Sequence, residues 1–169
     1  MDSQEAPVTV EQVEIFFAVE GTREPLSVSV SRQATVAEFA LIAAQKSGVE
    51  GVVEVFRENA EDPLDHSAIL FERLDIEFAL LHVSRPGKIA TTVEYNGRSV
   101  ERHFRPSATI ERVIEWAIGS HGFKLDGKSS DFQIKLNGIV LSPDTHLGQI
   151  AHREKAVKLD LVFKVKPQG

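Results

Sequence analysis

The chain has 169 residues, a formal net charge of -6 and no cysteine. The charge excludes broad binding to nucleic acid or to an anionic membrane, and the missing cysteines exclude disulfides, thiolate metal sites and cysteine nucleophiles, so any thioester chemistry needs a partner's sulfur. No apolar run nears the ~18 residues of a membrane span, and the opening MDSQEAPVTV has neither the basic start nor the apolar stretch of a signal peptide, so the expected compartment is the cytoplasm.

After that opening, expected to be flexible over residues 1–9, VEIFFAVEGTREPLSVSV reads as strand, turn at Gly21 and strand. ATVAEFALIAAQKSGV follows from Ala34 with Val36, Phe39, Ala40, Ala43 and Ala44 spaced i, i+3, i+4, i+7, i+8, the stripe of one buried helix face. Thr35 supplies an N-cap, Glu38 the other half of a capping box and Gly48 the left-handed stop. VVEVF, looser segments and FALLHVS then close a first unit over residues 10–84, and residues 85–88, within SRPGK, form a short linker stiffened by Pro86.

The second unit, residues 89–166, begins with IATTVEYNGRSVERHF, a hairpin whose Asn96-Gly97 turn supplies the positive backbone angles of a two-residue loop. ATIERVIEWAIGSHGF starts at Ala108, 74 residues after its counterpart at Ala34, and Ile110, Val113, Ile114, Ala117 and Ile118 repeat the first stripe position for position. Thr109 and Gly122 repeat the cap and the stop. DFQIKL, a tight turn at Asn137-Gly138 and LDLVFKVK complete the unit before a tail over residues 167–169. Each half therefore reads strand, strand, helix, strand, short strand, strand: an α+β unit in which a mixed sheet covers one helix. The short linker makes the two units neighbours.

Several motifs have plainer readings. Gly122 to Ser129, GFKLDGKS, fits the G-x-x-x-x-G-K-[ST] phosphate loop, but a helix precedes it, a strand follows, and Asp126 puts negative charge in the cradle; no nucleotide site is expected. His66, His82, His103, His121, His146 and His152 include no pair at helical metal-ligand spacing, so they read as surface or turn histidines, with no metal and no cofactor implied. Trp116 belongs to the core or to a contact between the lobes. Glu58 to Pro63, ENAEDP, reads as a solvated acidic loop. No nucleophile and base are suggested by spacing, so an enzyme is not expected. Lys164 and Lys166 read either as guards of an exposed strand edge or as part of a functional tail.

From Phe132 to the end, the strand into Asn137-Gly138, then Leu141, Asp144, Thr145, Leu147, Ile150 and a long basic-ended strand running to a glycine, the second half resembles the C-terminal half of ubiquitin. The doubled unit is similar to two-headed ubiquitin-like modifiers, closest to the bacterial BilA-type proteins of antiphage conjugation operons. That resemblance implies two tandem β-grasp domains and a modifier joined to targets through Gly169. Its implied partners are an E1-like activating enzyme, an E2-like conjugating enzyme, a deconjugating protease and a target protein, a phage structural protein among the candidates. Lys164, Lys166, Pro167 and Gln168 would form the enzyme-docking tail. Lys135 stands where ubiquitin has the central isoleucine of its surface patch, and the tail has one glycine where ubiquitin has two. The alternative reading is a non-covalent adaptor of tandem ubiquitin-like domains.

Overall fold

The computed structural model describes residues 10–74, 80–151 and 155–165. β1 (Gln12–Val19) and β2 (Leu26–Ser31) form an antiparallel pair turned at Gly21, whose φ of 74° lies in the left-handed region that glycine enters without strain. α1 (Val36–Ser47) follows. Thr35 accepts from the Glu38 amide while the Glu38 carboxylate accepts from the Thr35 amide, and Gly48 stops the helix at φ 76°. β3 (Glu54–Phe56) and β4 (Leu81–Ser84) complete a sheet ordered β2-β1-β4-β3, with β1 and β4 parallel.

The second half repeats this plan. β5 (Ile89–Tyr95) and β6 (Arg98–Phe104) join through Asn96 and Gly97, both at positive φ, and α2 (Ile110–Ile118) is capped by the Thr109 side chain. β7 (Phe132–Leu136), β8 (Ile139–Val140), the one-turn helix α3 (Leu147–Ile150) and β9 (Ala156–Phe163) follow. The sheet order is β6-β5-β9-β7-β8, again with a parallel central pair, β5 and β9. Each half is a β-grasp unit, and the protein is a tandem of two.

Each helix lays its stripe on its own sheet. Val36, Phe39, Ala40, Ala43 and Ala44 pack with Ile15, Phe17, Val28, Val55, Leu81 and Val83, the Phe39 and Phe17 rings meeting edge to face at 5.6 Å. The five α2 counterparts pack with Ile89, Val93, Phe132, Ile134, Leu159 and Leu161. Fully burying a valine, isoleucine or phenylalanine side chain is worth about 1.5–3 kcal/mol, so Val36 and Phe39 in α1 and Ile110, Val113, Ile114 and Ile118 in α2 do most to hold helix to sheet, the alanines between them allowing close approach. Trp116 joins the second cluster from its edge, its ring 5.5 Å from Phe104.

Three expectations change. In the first unit no short strand precedes the closing strand among the described residues; a single 3-10 turn at Leu70–Glu72 packs Leu70 into the core there, while Phe78 and Ala79 of the predicted closing strand fall outside the described residues. The second helix stops at Gly119 in extended conformation, and Gly122 is not its left-handed cap. Gly122 is small for another reason: a Cβ there would lie 2.2 Å from the Ala117 carbonyl oxygen. Lys124 takes the positive φ, 56°, that returns the chain to β7. Finally, ENAEDP is no free loop, because its residues join the two lobes.

Candidate functional site

Strand alternation explains why the lobes join as they do. In β1, β3 and β4 the side chains of Ile15, Phe17, Val55, Leu81 and Val83 face α1, so Ala18, Phe56, His82 and Ser84 face the opposite side of the sheet. All four are nevertheless buried, because the second lobe sits on them. α3 and the Arg105–Ser107 turn form that cover. The Gly21 amide donates to the Gly148 carbonyl at 3.0 Å, and the Gln149 side-chain amide donates to the carbonyls of Thr22 and Arg23 at 3.3 and 3.0 Å. The Arg105 guanidinium lies 5.8 Å from the centre of the Phe56 ring. A side chain at Gly148 has no room: its Cβ would stand 2.3 Å from His82 Nε2.

The loop after β3 closes the other side. Asn59, held at φ 59°, donates its amide to the Ser107 carbonyl at 3.0 Å and offers Oδ1 to the Thr109 amide at 2.8 Å, the start of α2 in the other lobe. Ser107 Oγ donates to the Ala60 carbonyl, and Arg112 pairs with Glu61 at 3.5 Å. The linker is pinned as well, Arg85 donating its Nε, Nη2 and amide to the Glu20 carboxylate at 2.7, 3.1 and 3.2 Å. Burial works against the Glu20 charge, yet the hydrogen bonds and charge of Arg85 hold its carboxyl below the usual range.

At the centre of the junction His82 and His146, both fully buried, meet Nδ1 to Nδ1 at 3.0 Å, and His146 Nε2 lies 3.0 Å from the Glu58 carboxylate. Neither is the surface or turn histidine that the sequence suggests. Of the other four, His66, His103 and His121 are exposed and His152 lies outside the described residues. No group of side chains able to hold a metal ion occurs among the described residues.

The second lobe keeps its corresponding sheet face open. It carries Lys135 beside Asp160 and Val140, Gln133 beside Val162, and a Glu94–Lys158 ion pair at 2.9 Å. The face is charged around Lys135, with Val140 51% exposed beside it. β9 then carries the chain outward. Phe163 packs edge to face on Phe132 at 5.3 Å, the Lys164 amide donates to the Asp131 carbonyl at 2.8 Å, and Val165 is 91% exposed. Lys164 itself is exposed; Lys166, Pro167, Gln168 and Gly169 lie outside the described residues.

The phosphate-loop lookalike runs from the end of α2 to β7 with only a 3-10 turn, Ser129–Asp131, at its end. The Asp131 carboxylate accepts from the Lys128 amide at 2.9 Å, placing negative charge where a phosphate would need donors.

No curated protein matches the chain. Among solved structures, the ubiquitin of Caldiarchaeum subterraneum is similar at 16% identity with a TM-score of 0.38, covering 48% of this chain and 100% of its own. A de novo design based on ubiquitin is similar at 24% identity with a TM-score of 0.39, covering 50% of this chain and 99% of its own. The family model described as BilA ubiquitin-like domain 2 matches residues 90–164, the span from β5 to the strand that releases the tail. That match identifies the second lobe, residues 90–164, as similar to the second ubiquitin-like domain of BilA-type proteins.

Proposed function

We propose that the protein is a modifier attached to targets through the carboxylate of Gly169. An E1-like enzyme joins that carboxylate to AMP from ATP with release of pyrophosphate. A partner cysteine displaces AMP to form a thioester, the acyl group passes to an E2-like cysteine, and a target amine displaces the thiol to leave an amide bond. The setting inferred from the BilA resemblance is bacterial antiphage defence, with a phage structural protein as the target and a dedicated protease reversing the bond. A glycine suits the reacting position because, without Cβ, its carbonyl passes through narrow sites and accepts a nucleophile without crowding.

The observation that carries this reading is the exit of the chain from β9, the central strand of the lobe that matches the BilA model. The last described residues leave the core, the Lys164 amide making the final hydrogen bond and Val165 standing exposed. Lys164 and Lys166 offer charge to acidic partner surfaces, and Pro167 and Gln168 complete the enzyme-docking tail before Gly169. The charged face around Lys135 gives receptors that grip an apolar patch little to hold. Incubating the protein with its cognate activating and conjugating enzymes and ATP tests the reading. A thiol-sensitive adduct on the enzymes and a thiol-resistant one on a target are expected, and deleting Gly169 should abolish both. If the deleted form makes both adducts as readily, a non-covalent adaptor replaces the modifier.

A further inference from the structure

The hydrogen bonds at the junction assign every proton of the histidine pair. His146 Nε2 faces the Glu58 carboxylate at 3.0 Å, which only accepts, so Nε2 carries the hydrogen and Nδ1 of the neutral ring is an acceptor. His82 Nδ1, 3.0 Å from that acceptor, must then be the donor, leaving His82 Nε2 as a bare lone pair. That atom is buried without a hydrogen-bond partner, wedged against the space where Gly148 has no side chain.

A third proton therefore has no place in the docked form. On His146 Nδ1 it would set two N–H groups against each other. On His82 Nε2 it would leave a buried N–H with no acceptor, whether the charge stays on His82 or passes through the Nδ1–Nδ1 bond to His146 beside Glu58. The Glu58 and Asp144 carboxylates favour charge on His146, but burial outweighs them and holds its pKa below the usual value; burial and the neighbouring His146 hold His82 well below it. The Arg105 guanidinium faces the Phe56 ring, whose residue pairs with His82 across β3 and β4. The Glu20–Arg85 pair beside Ser84 is internally neutralised. Undocked, both rings meet water and bind protons normally.

We propose that His82 and His146 form an acid-released latch: the lobes are docked while the pair is neutral, and acidification undocks them, uncovering the Ala18, Phe56, His82 and Ser84 face of the first sheet. With an ordinary histidine pKa of about 6.5 in the undocked state and both rings neutral when docked, each site contributes about tenfold at pH 5.5, so the undocking constant rises by up to about a hundredfold between pH 7.5 and 5.5. The change runs one way, since the docked form binds fewer protons and loses ground as pH falls.

Hydrogen exchange of the full chain reads this constant at the Gly21 and Asn59 amides, whose acceptors, the Gly148 and Ser107 carbonyls, belong to the other lobe. After correction for intrinsic exchange, about a hundredfold loss of protection is expected from pH 7.5 to 5.5. His82→Asn keeps a donor where Nδ1 stood, and His146→Gln keeps a donor toward Glu58; each should reduce the change to about tenfold, while His121→Gln, on an exposed side chain, should leave it a hundredfold. A change below threefold in the unaltered protein, or a full hundredfold in both junction variants, overturns the latch. Should either variant leave those amides unprotected at pH 7.5, the ring resonances of the unaltered protein decide. Neutral His82 and His146 rings at pH 5.5 wherever the amides are protected support the latch, and a protonated ring beside protected amides overturns it.

Discussion

Replacing Gly148 by alanine tests whether the lobes meet as closely as described. The added Cβ would stand 2.3 Å from His82 Nε2, 2.6 Å from His82 Cε1 and 2.9 Å from Pro106 Cβ, against an optimum of about 3.5–4.0 Å for carbon contacts. Neither obstacle yields easily, because the His82 ring is tied to His146 and the Pro106 ring is rigid. Relief comes only by lifting α3 from the first sheet, which stretches the 3.0 Å bond from the Gly21 amide to the Gly148 carbonyl. Overpacking of this kind costs about 1–3 kcal/mol, and the better helix propensity of alanine returns up to about 1. Gly148 has no left-handed φ, so the penalty is purely steric. A net loss of about 1–2 kcal/mol lowers Tm by about 2–8 °C for a chain of this size, readable by calorimetry at pH 7.5. Adding His82→Ala removes the two nearest atoms, so the double-mutant cycle should return a favourable coupling of about 1 kcal/mol or more. An unchanged or raised Tm for Gly148→Ala, or a coupling of zero, refutes the packing argument.

Two further outcomes follow from the same junction. Because Arg85 holds the Glu20 carboxyl below its ordinary value of 4.5, the stability from this pair is present above that pH and is lost as pH falls through the lowered value; Glu20→Gln should flatten the urea-unfolding free energy against pH below about 4.5 while leaving the dependence above pH 5 intact. At Asn59, glycine tolerates the positive φ but loses the acceptor for the Thr109 amide, so Asn59→Gly should cost about 1 kcal/mol in urea unfolding, and Asn59→Ala about 1 kcal/mol more for left-handed strain. Equal losses for the two variants would remove the conformational argument.

The doubled plan was legible because each helix buries a five-residue stripe at identical spacing, and because Thr35, Gly48, Thr109 and the Asn96-Gly97 turn carry local chemistry that needs no partner. The junction escaped notice because alternation was read for one face only. Its signal was nonetheless present: the run Phe17 to Val19 is apolar at every position and buried on both faces, although Phe16 just before it is exposed, and Phe56 repeats the pattern in β3. His82 and Glu58 to Pro63 looked solvated because polar residues at outward positions ordinarily are. The second lobe's α3, brought over His82 by the fold, makes it interior, whereas the acidic loop stays at the surface and is held to the second lobe through Asn59, Ala60 and Glu61. Gly122 misled for a similar reason, since a glycine after a helix reads as a cap and the close approach to Ala117 appears only once the chain has turned back. The closing strand ends at Phe163, short of the expected residue 166, and no pattern fixes what the tail engages.

The tail is tested most directly by mass spectrometry of the conjugate. Trypsin cleaves after Lys164 but not at the Lys166–Pro167 bond, so a modified target lysine should carry the remnant Val165 to Gly169, joined through the Gly169 carbonyl. Finding that five-residue branch on a target amine, and losing it when Gly169 is deleted, is the predicted result. A thiol-resistant conjugate whose target peptides carry no such branch, or carry a bond through any other residue of this chain, would contradict the account.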